Sequence, residues 1–188
     1  GYIEKTTHHA RQTAPRHPKK AGVATLNKAQ TESAQRVSDK MGQFGVSLLE
    51  GVTGSGKTEV YIKVAEQALS AGKQTLVLIP EINLTPQTFA RFQTQLATPI
   101  AVLHSGLSEK EKYISWNLAR QGKTNIIIGT RSAIFAPFKN LGVIIVDEEH
   151  DASYKQMDNF KYSARDLAVK RGHLENCHVV LGSATPSV

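Results

Sequence analysis

Residues 51–58 read GVTGSGKT and match the phosphate-loop pattern G-x-x-x-x-G-K-[ST] in full. The apolar run VSLLE (46–50) precedes this stretch, and a helical pattern follows it. Glycines allow consecutive backbone N–H groups to point at one anion, and the positive end of the following helix faces the same place. The stretch therefore predicts a strand, a phosphate-binding loop and a helix in succession.

Each residue of this loop has a predicted task. Lys57 is expected to reach the β- and γ-phosphates of a nucleoside triphosphate, and the Thr58 hydroxyl is expected to bind Mg²⁺. The remaining residues supply backbone donors and the tight curvature of the loop. The predicted nucleotide-binding residues of the loop are Gly51, Thr53, Gly54, Ser55, Gly56, Lys57 and Thr58.

A second apolar run ends in acids, in the sequence VIIVDEEH (143–150). Asp147 follows the predicted strand directly and is expected to hold Mg²⁺ together with Thr58. Glu148 is then placed to orient or activate the water that attacks the γ-phosphate. The predicted catalytic set is Lys57, Thr58, Asp147 and Glu148. A nucleotide kinase is disfavoured because Glu148 suits hydrolysis and because no arginine-rich lid segment is found.

The whole pattern indicates an α/β fold with a mostly parallel sheet and helices on both faces. Short apolar runs that do not alternate are typical of strands covered on both sides. They are VSLLE (46–50), TLVLI (75–79), IAVLH (100–104), NIIIG (125–129), VIIVD (143–147) and HVVLG (178–182). Helical patterns run from Lys57 to Ala71, from Thr85-Pro86, from Ser108, and from Ser163 to near Gly172. The ligand site should lie at the carboxyl ends of the strands.

The composition of the chain bears on its domain organisation, its partners and its cellular location. Residues 1–25 are basic, contain two prolines and predict a flexible linker or tail, whereas 26–188 predict one domain. The net charge of +7 favours a polyanionic partner such as nucleic acid. The one cysteine excludes an internal disulfide and fits a cytoplasmic protein. No apolar run reaches the roughly 18 residues of a membrane span, so no membrane association is expected.

Five stretches together resemble the first motor domain of superfamily 2 helicases and, more narrowly, of the bacterial replication-restart helicases. They are GVTGSGKTEVY, LIPEINLTPQT, VLHSGLSEKEK, IIGTRSAIFAPFKNLGVIIVDEEHDASYKQ and LGSATPS, and they span about 26–187. The resemblance implies a RecA-like domain that binds ATP and Mg²⁺. It also implies 3′→5′ translocation on single-stranded and forked DNA, a second RecA-like domain in the parent chain, and primosome proteins as partners.

The resemblance also assigns residues. The segments LIPEINLTPQT and GTRSAIF would face the DNA backbone through Thr85, Gln87, Thr130, Arg131 and Ser132. Hydroxyl, amide and guanidinium donors near strand ends suit such contacts. In LGSATPS, Ser183 and Thr185 would couple DNA to the ATP site. Gln30, in LNKAQ, resembles the glutamine that reads the adenine edge in related motors.

The segment DASYKQMDNFKYSARD (151–166) places aromatic residues between cations. Tyr154, Phe160 and Tyr162 are predicted to sense DNA by stacking on bases, as in the aromatic-rich loop that this segment resembles. Without DNA, the segment is expected to be mobile. The alternative is that these aromatics cover the core of the domain itself.

Other functions stay open at this point. The chain could come from another superfamily 2 translocase, such as a RecG-like fork motor, or from a kinase or transporter ATPase, or it could act only as a binding module. The resemblance further suggests an excised domain with half of a composite ATP site. Such a fragment is expected to be nearly inactive by itself.

Overall fold

The part of the chain that the computed structural model describes, residues 26–52 and 54–184, alternates between strands and helices. The strands are β1 (Gly45–Glu50), β2 (Gln74–Leu78), β3 (Ile100–Leu103), β4 (Ile126–Gly129), β5 (Leu141–Val146), β6 (Lys155–Gln156), β7 (Tyr162–Ser163) and β8 (His178–Ser183). The α-helices are α1 (Lys28–Ser38), α2 (Lys57–Ser70), α3 (Pro86–Leu96), α4 (Glu109–Arg120) and α5 (Ala164–Glu175). Short 3-10 turns occupy Glu81–Asn83, Arg131–Phe135 and Ala152–Tyr154.

Six strands form one parallel sheet in the order β1-β8-β5-β2-β4-β3, and β6 pairs with β7 in a separate antiparallel hairpin. One face of the sheet packs against α4 and α5, and the other packs against α1, α2 and α3. The predicted α/β architecture with helices on both faces is therefore confirmed. All six predicted strands are present, and their carboxyl ends lie at one edge of the sheet.

The burial of the strands depends on their place in the sheet. The four inner strands β2, β4, β5 and β8 are buried at every position, as the continuous apolar runs predict. The edge strand β1 alternates instead, with Val46 and Leu48 half exposed. An apolar run alone does not distinguish an edge strand from an inner one, because position in the sheet decides whether the second face is covered.

Side-chain caps define where the helices begin. Thr85, Ser108 and Ser163 each accept a hydrogen bond from the backbone of the first helical turn, as predicted. Helix α5 continues past Gly172, which lies against β8: a Cβ there would meet the Val179 side chain at 2.4 Å. Gly172 thus serves packing, and the helix ends at Glu175 instead.

Helix α1 was not predicted as an element. Two of its residues, Ala34 and Val37, are buried, and most of its other residues are polar, so the apolar signal is small. The capping box formed by Asn27 and Gln30 is the sequence signal for its start.

The proposed linker, residues 1–25, lies outside the described residues, so the predicted domain boundary stays a prediction. Within 26–52 and 54–184, no helix combines the length and apolarity that crossing a membrane requires.

Candidate nucleotide and nucleic-acid site

The phosphate loop connects β1 to α2 at the carboxyl edge of the sheet. Gly56 adopts φ +85°, and a Cβ there would lie 2.2 Å from Gln30 Nε2. The left-handed conformation therefore favours glycine at this position, and a Cβ there would force the Gln30 side chain to move away from the loop. Gln30 Nε2 donates to the Ser55 carbonyl at 3.1 Å, while its Oε1 accepts from the Asn27 N–H at 2.9 Å. Gln30 thus braces the loop against α1, and its predicted adenine contact stays a prediction.

Lys57 is buried at the first position of α2 and points back into the loop. Its Nζ donates to the Gly51 carbonyl at 2.6 Å and lies 3.3 Å from Glu148 Oε1. The structure therefore brings together the lysine and the acid that the sequence places almost a hundred residues apart. Thr58 lines the same cleft as Lys57, whereas Thr53 lies outside the described residues.

Two tyrosines hold Asp147 at the end of β5. The Tyr61 hydroxyl donates to Asp147 Oδ1 at 2.9 Å, and the Tyr154 hydroxyl donates to the Asp147 carbonyl at 2.6 Å. Burial, followed by the charge of Asp147, raises the pKa of Tyr61, so this hydroxyl stays a donor. Burial also raises the pKa of Asp147, opposed by the Tyr61 hydrogen bond and by Lys57. A bound cation would compensate the charge of this buried carboxylate.

Glu148 stands at a sharp turn with φ +44°, a conformation that costs a non-glycine residue about 1–2 kcal/mol. The turn directs the carboxylate toward two neighbours. Oε1 faces Lys57, and Oε2 accepts from the Ala184 N–H at 3.3 Å. Glu148 therefore touches both the phosphate loop and the segment after β8.

His150 makes a second link to the end of β8. Its Nδ1 lies 3.4 Å from the Ser183 hydroxyl, and the Ser183 carbonyl accepts from the Gly51 N–H at 3.0 Å. His150 thus joins the acid motif to the coupling motif at Ser183. Thr185 lies outside the described residues.

The cleft has the chemistry of a triphosphate and Mg²⁺ site. It measures about 380 Å³ and combines loop glycines with the lysine, hydroxyl and acids already described. Its lining residues are Gly54, Gly56, Lys57, Thr58, Glu59, Tyr61, Ile79, Ile82, Asn83, Thr85, Thr88, Arg91, Phe92, Asp147 and Glu148. Thr58 and Asp147 supply the oxygen ligands that Mg²⁺ prefers.

The residues predicted to contact DNA are distributed along the same edge of the sheet. The Thr85 hydroxyl caps α3 and lines the nucleotide cleft, and the exposed Gln87 lines a neighbouring depression with Thr58. Thr130 is buried at the end of β4, while Ser132 is exposed. Their DNA contacts stay predictions.

Arg131 has protein partners. Its guanidinium donates to the Lys155 carbonyl at 2.7 Å and to the Ser153 carbonyl at 3.4 Å. It therefore ties the β4 end to the aromatic segment 151–166, and its predicted DNA contact also stays a prediction.

The aromatic segment departs from its prediction in two ways. Tyr154 is 1% exposed, so its ring belongs to the core and cannot stack on a base in this conformation. The segment also has a defined structure, a 3-10 turn followed by the β6–β7 hairpin, where mobility was expected. The contacts of Tyr154 with Asp147 and of Arg131 with this backbone are the physical reason. Phe160 remains 72% exposed, and Tyr162 packs partly against the core.

Tyr61 is a functional residue that sequence reasoning missed. It lies one helical turn after Lys57, at i+4, and hence on the same face of α2. Its hydroxyl reaches Asp147 through space left by Gly182, where a Cβ would lie 1.7 Å from that hydroxyl. A tyrosine at this spacing from a phosphate-loop lysine was the available signal.

Comparisons with known proteins identify the family of this domain. Residues 27–188 match the family model of the DEAD/DEAH box helicases. Replication restart protein PriA of Haemophilus influenzae is 52% identical over 164 residues, which are 87% of this chain and 22% of that protein. PriA of Bacillus subtilis is 52% identical over 143 residues, which are 76% of this chain and 18% of that protein.

Solved structures give the same fold. RecG bound to a three-way DNA junction has a TM-score of 0.63 and 26% identity, over 87% of this chain and 21% of that one. The chain spans about a fifth of the length of the two PriA proteins. The resemblance that the sequence motifs indicated is confirmed, and family membership implies that the domain binds ATP. The chain belongs to the DEAD/DEAH box helicase family.

Proposed function

We propose that this chain is the first RecA-like motor domain of a longer ATP-dependent DNA helicase that acts in replication restart. In this proposal ATP hydrolysis drives 3′→5′ translocation along single-stranded DNA, and forked DNA is the working substrate. A second RecA-like domain of the same parent chain closes the ATP site, and primosome proteins are its further partners. The similarity to two PriA proteins over most of the chain supports this function.

One observation carries the motor proposal. Glu148 contacts Lys57 at 3.3 Å through one carboxylate oxygen and the Ala184 N–H at 3.3 Å through the other. A change in the segment after β8 therefore moves the carboxylate that is proposed to position the attacking water. The geometry joins hydrolysis to a second event in the same domain, as a motor requires.

The residues act by positioning and by compensating charge. The loop N–H groups and Lys57 bind the triphosphate, while Thr58 and Asp147 hold Mg²⁺. When bound, Mg²⁺ neutralises charge that develops on the phosphate oxygens. Tyr61 and Tyr154 keep Asp147 in place, and Glu148 orients the water and accepts its proton.

Except for Thr85, which lines the nucleotide cleft, the proposed DNA contacts lie outside it. Ser132, which follows β4, and Gln87, in the first turn of α3, are exposed donors, and Arg131 fixes the aromatic segment next to the acids. Phe160 is the aromatic of that segment that DNA can reach most readily. The net charge of +7 favours a polyanionic partner.

The experiment is ATP turnover of the longer protein that carries this domain, with and without single-stranded DNA. The proposal expects strong stimulation by DNA and slow turnover by residues 1–188 alone. A second RecA-like domain would supply arginines, which contribute about 10³–10⁵ in rate in related systems. Turnover that DNA does not change would contradict a DNA motor, and robust DNA-stimulated turnover by 1–188 would contradict a composite site.

A RecG-like fork motor is the second candidate, favoured by the 26% identity and TM-score of 0.63 to RecG on a three-way junction. The two candidates differ in the DNA that the longer protein prefers. Unwinding that begins from a single-stranded 3′ arm would support the replication-restart function. Activity restricted to the branch point of junctions without such an arm would support the RecG-like one.

A further inference from the structure

A second cleft, which we call the aromatic cleft, opens at the carboxyl end of β3 beside helix α4. It has a volume of about 380 Å³, and it is lined by Leu103, His104, Ser105, Glu109, Lys112, Tyr113, Trp116 and Ser132. None of the nucleotide-site residues lines it. The cleft is therefore a separate site on the same edge of the sheet.

Two aromatic side chains form one wall of this cleft. Tyr113 and Trp116 stand at i and i+3 on α4, and hence on the same side of the helix. Trp116 is 43% exposed and Tyr113 is 70% exposed, so both rings offer apolar surface to a ligand. Large aromatics exposed next to a cleft are typical of binding surfaces and contribute little to a domain core.

The other wall is polar and joins the segment proposed to contact DNA. Ser132 belongs to that segment and lines the cleft. The Thr130 N–H donates to the Leu103 carbonyl at 3.0 Å, which connects the end of β4 to the floor of the cleft. Ser105 donates to the Glu81 carboxylate, which connects the cleft to the loop after β2. The cleft is thus continuous with the proposed DNA face.

The charges in the cleft suit a base better than a phosphate. Lys112 Nζ pairs with Glu109 Oε1 at 2.8 Å, so the acid and the base largely compensate each other. The rest of the lining consists of two aromatic rings, the Ser105 and Ser132 hydroxyl groups, and the side chains of His104 and Leu103. A planar ring that stacks on one side and accepts or donates hydrogen bonds at its edge fits this arrangement.

We propose that the aromatic cleft binds one nucleobase of single-stranded DNA, stacked on Trp116 and Tyr113, while the adjoining phosphate follows Ser132. This rests on the proposed function, because it needs a DNA strand at this edge of the sheet. Every base has a π face, so the subsite accepts any base and binds the DNA strand independently of its sequence.

The chain offers a direct test, because Trp116 is its one tryptophan. A short oligothymidylate is titrated into the 188-residue chain at low salt, next to an abasic oligomer of equal length and charge. Indole fluorescence reports stacking, and the anisotropy of an end-labelled oligomer reports binding. We expect quenching by oligothymidylate only, and about tenfold weaker binding of the abasic oligomer.

Variants separate stacking from a general surface effect. Trp116→Ala should bring the two oligomers to equal affinity, and Trp116→Phe should keep part of the preference for the base-bearing one. Ile114→Ala is the matched control, since Ile114 is 39% exposed on the same helix but does not line the cleft. It should retain the full preference.

The possible failures are distinguishable. Equal affinity of wild type for both oligomers overturns the base subsite and leaves the motor function standing. Binding without a change in Trp116 fluorescence also overturns the base subsite and leaves the motor function standing. No binding of either oligomer contradicts the proposed DNA face and the base subsite together. The comparison of oligomers on wild type does not depend on any variant folding.

Discussion

The nucleotide cleft and the proposed DNA face lie at one edge of the same sheet, but their side chains are held in different ways. In the nucleotide cleft, Lys57, Asp147 and Glu148 each contact another residue of the site at 3.3 Å or less. On the DNA face, Phe160 and Trp116 present exposed rings. The domain therefore preorganises its nucleotide cleft, whereas the aromatic rings that are proposed to contact DNA are exposed and make no such contacts within the site.

This difference separates the expected effects of mutation. Changes in the nucleotide cleft should reduce turnover, nucleotide affinity or the free energy of unfolding, because they break contacts within the domain. Changes on the DNA face should reduce DNA affinity and leave folding intact.

Glu148→Gln in the longer protein should lower ATP turnover by about a hundredfold or more, because loss of a general base typically costs 10²–10⁴ in rate. Nucleotide affinity should stay close to wild type, since the amide keeps the shape of the side chain. Steady-state turnover and calorimetry measure the two quantities. Glu32→Gln, at an exposed position on α1, is the control. Turnover near wild type would remove Glu148 from the catalytic set.

Gly182→Ala should lower the free energy of unfolding by about 1–3 kcal/mol through overpacking. The new Cβ would lie 1.7 Å from the Tyr61 hydroxyl, so the tyrosine must leave Asp147. Urea denaturation measures the loss, with Gly106→Ala as the control in an exposed loop. Adding Tyr61→Phe should recover part of it, because the nearest clashing atom is removed. If both glycine variants are equally stable, Tyr61 does not need the space at Gly182.

Lys57→Ala should weaken nucleotide binding by the 188-residue chain at least tenfold, or about 1.4 kcal/mol. The reason is that the positive charge of the lysine, which is expected to contact the β- and γ-phosphates, is lost. Isothermal calorimetry is the measurement. Lys63→Ala removes a lysine from the same helix outside the nucleotide cleft and should have little effect. An affinity equal to wild type would refute the role given to the phosphate loop.

The residues of the nucleotide cleft were easier to recognise in the sequence than the residues proposed to contact DNA, and the reason is physical. Phosphate binding needs particular residue types at fixed spacing, so residues 51–58 and Asp147-Glu148 are recognisable without a structure. Stacking needs only an accessible aromatic ring, and accessibility depends on tertiary packing. Tyr154 and Phe160 look alike in sequence, yet one is buried and the other exposed.

Contacts that complete a site across the fold were also invisible in the sequence. Tyr61 and Asp147 are far apart along the chain, and their hydrogen bond depends on the absence of a side chain at Gly182 on a third element. Trp116 lies on a helix whose motif carried no expected chemistry. Helix α1 was missed because it is mostly polar and buries only Ala34 and Val37 among its described residues.

The last prediction compares the two aromatics of segment 151–166 directly. Phe160→Ala should change the free energy of unfolding by less than about 0.5 kcal/mol, because the ring is 72% exposed. Tyr154→Phe should lower it by about 1 kcal/mol, because the part-buried hydrogen bond to the Asp147 carbonyl is lost. Urea denaturation of the 188-residue chain measures both.

The effects on the response to DNA should rank in the opposite order: Phe160→Ala should have the larger effect and Tyr154→Phe the smaller one. In the longer protein, Phe160→Ala should weaken DNA stimulation of ATP turnover while basal nucleotide binding is unchanged. Tyr154→Phe should leave DNA affinity unchanged, because its ring does not reach the surface. A Phe160→Ala protein with normal DNA stimulation and a clearly lower melting temperature would assign Phe160 to the core. Segment 151–166 would then act only as a brace for Asp147, and the aromatic cleft would remain as the site where a base is expected to stack.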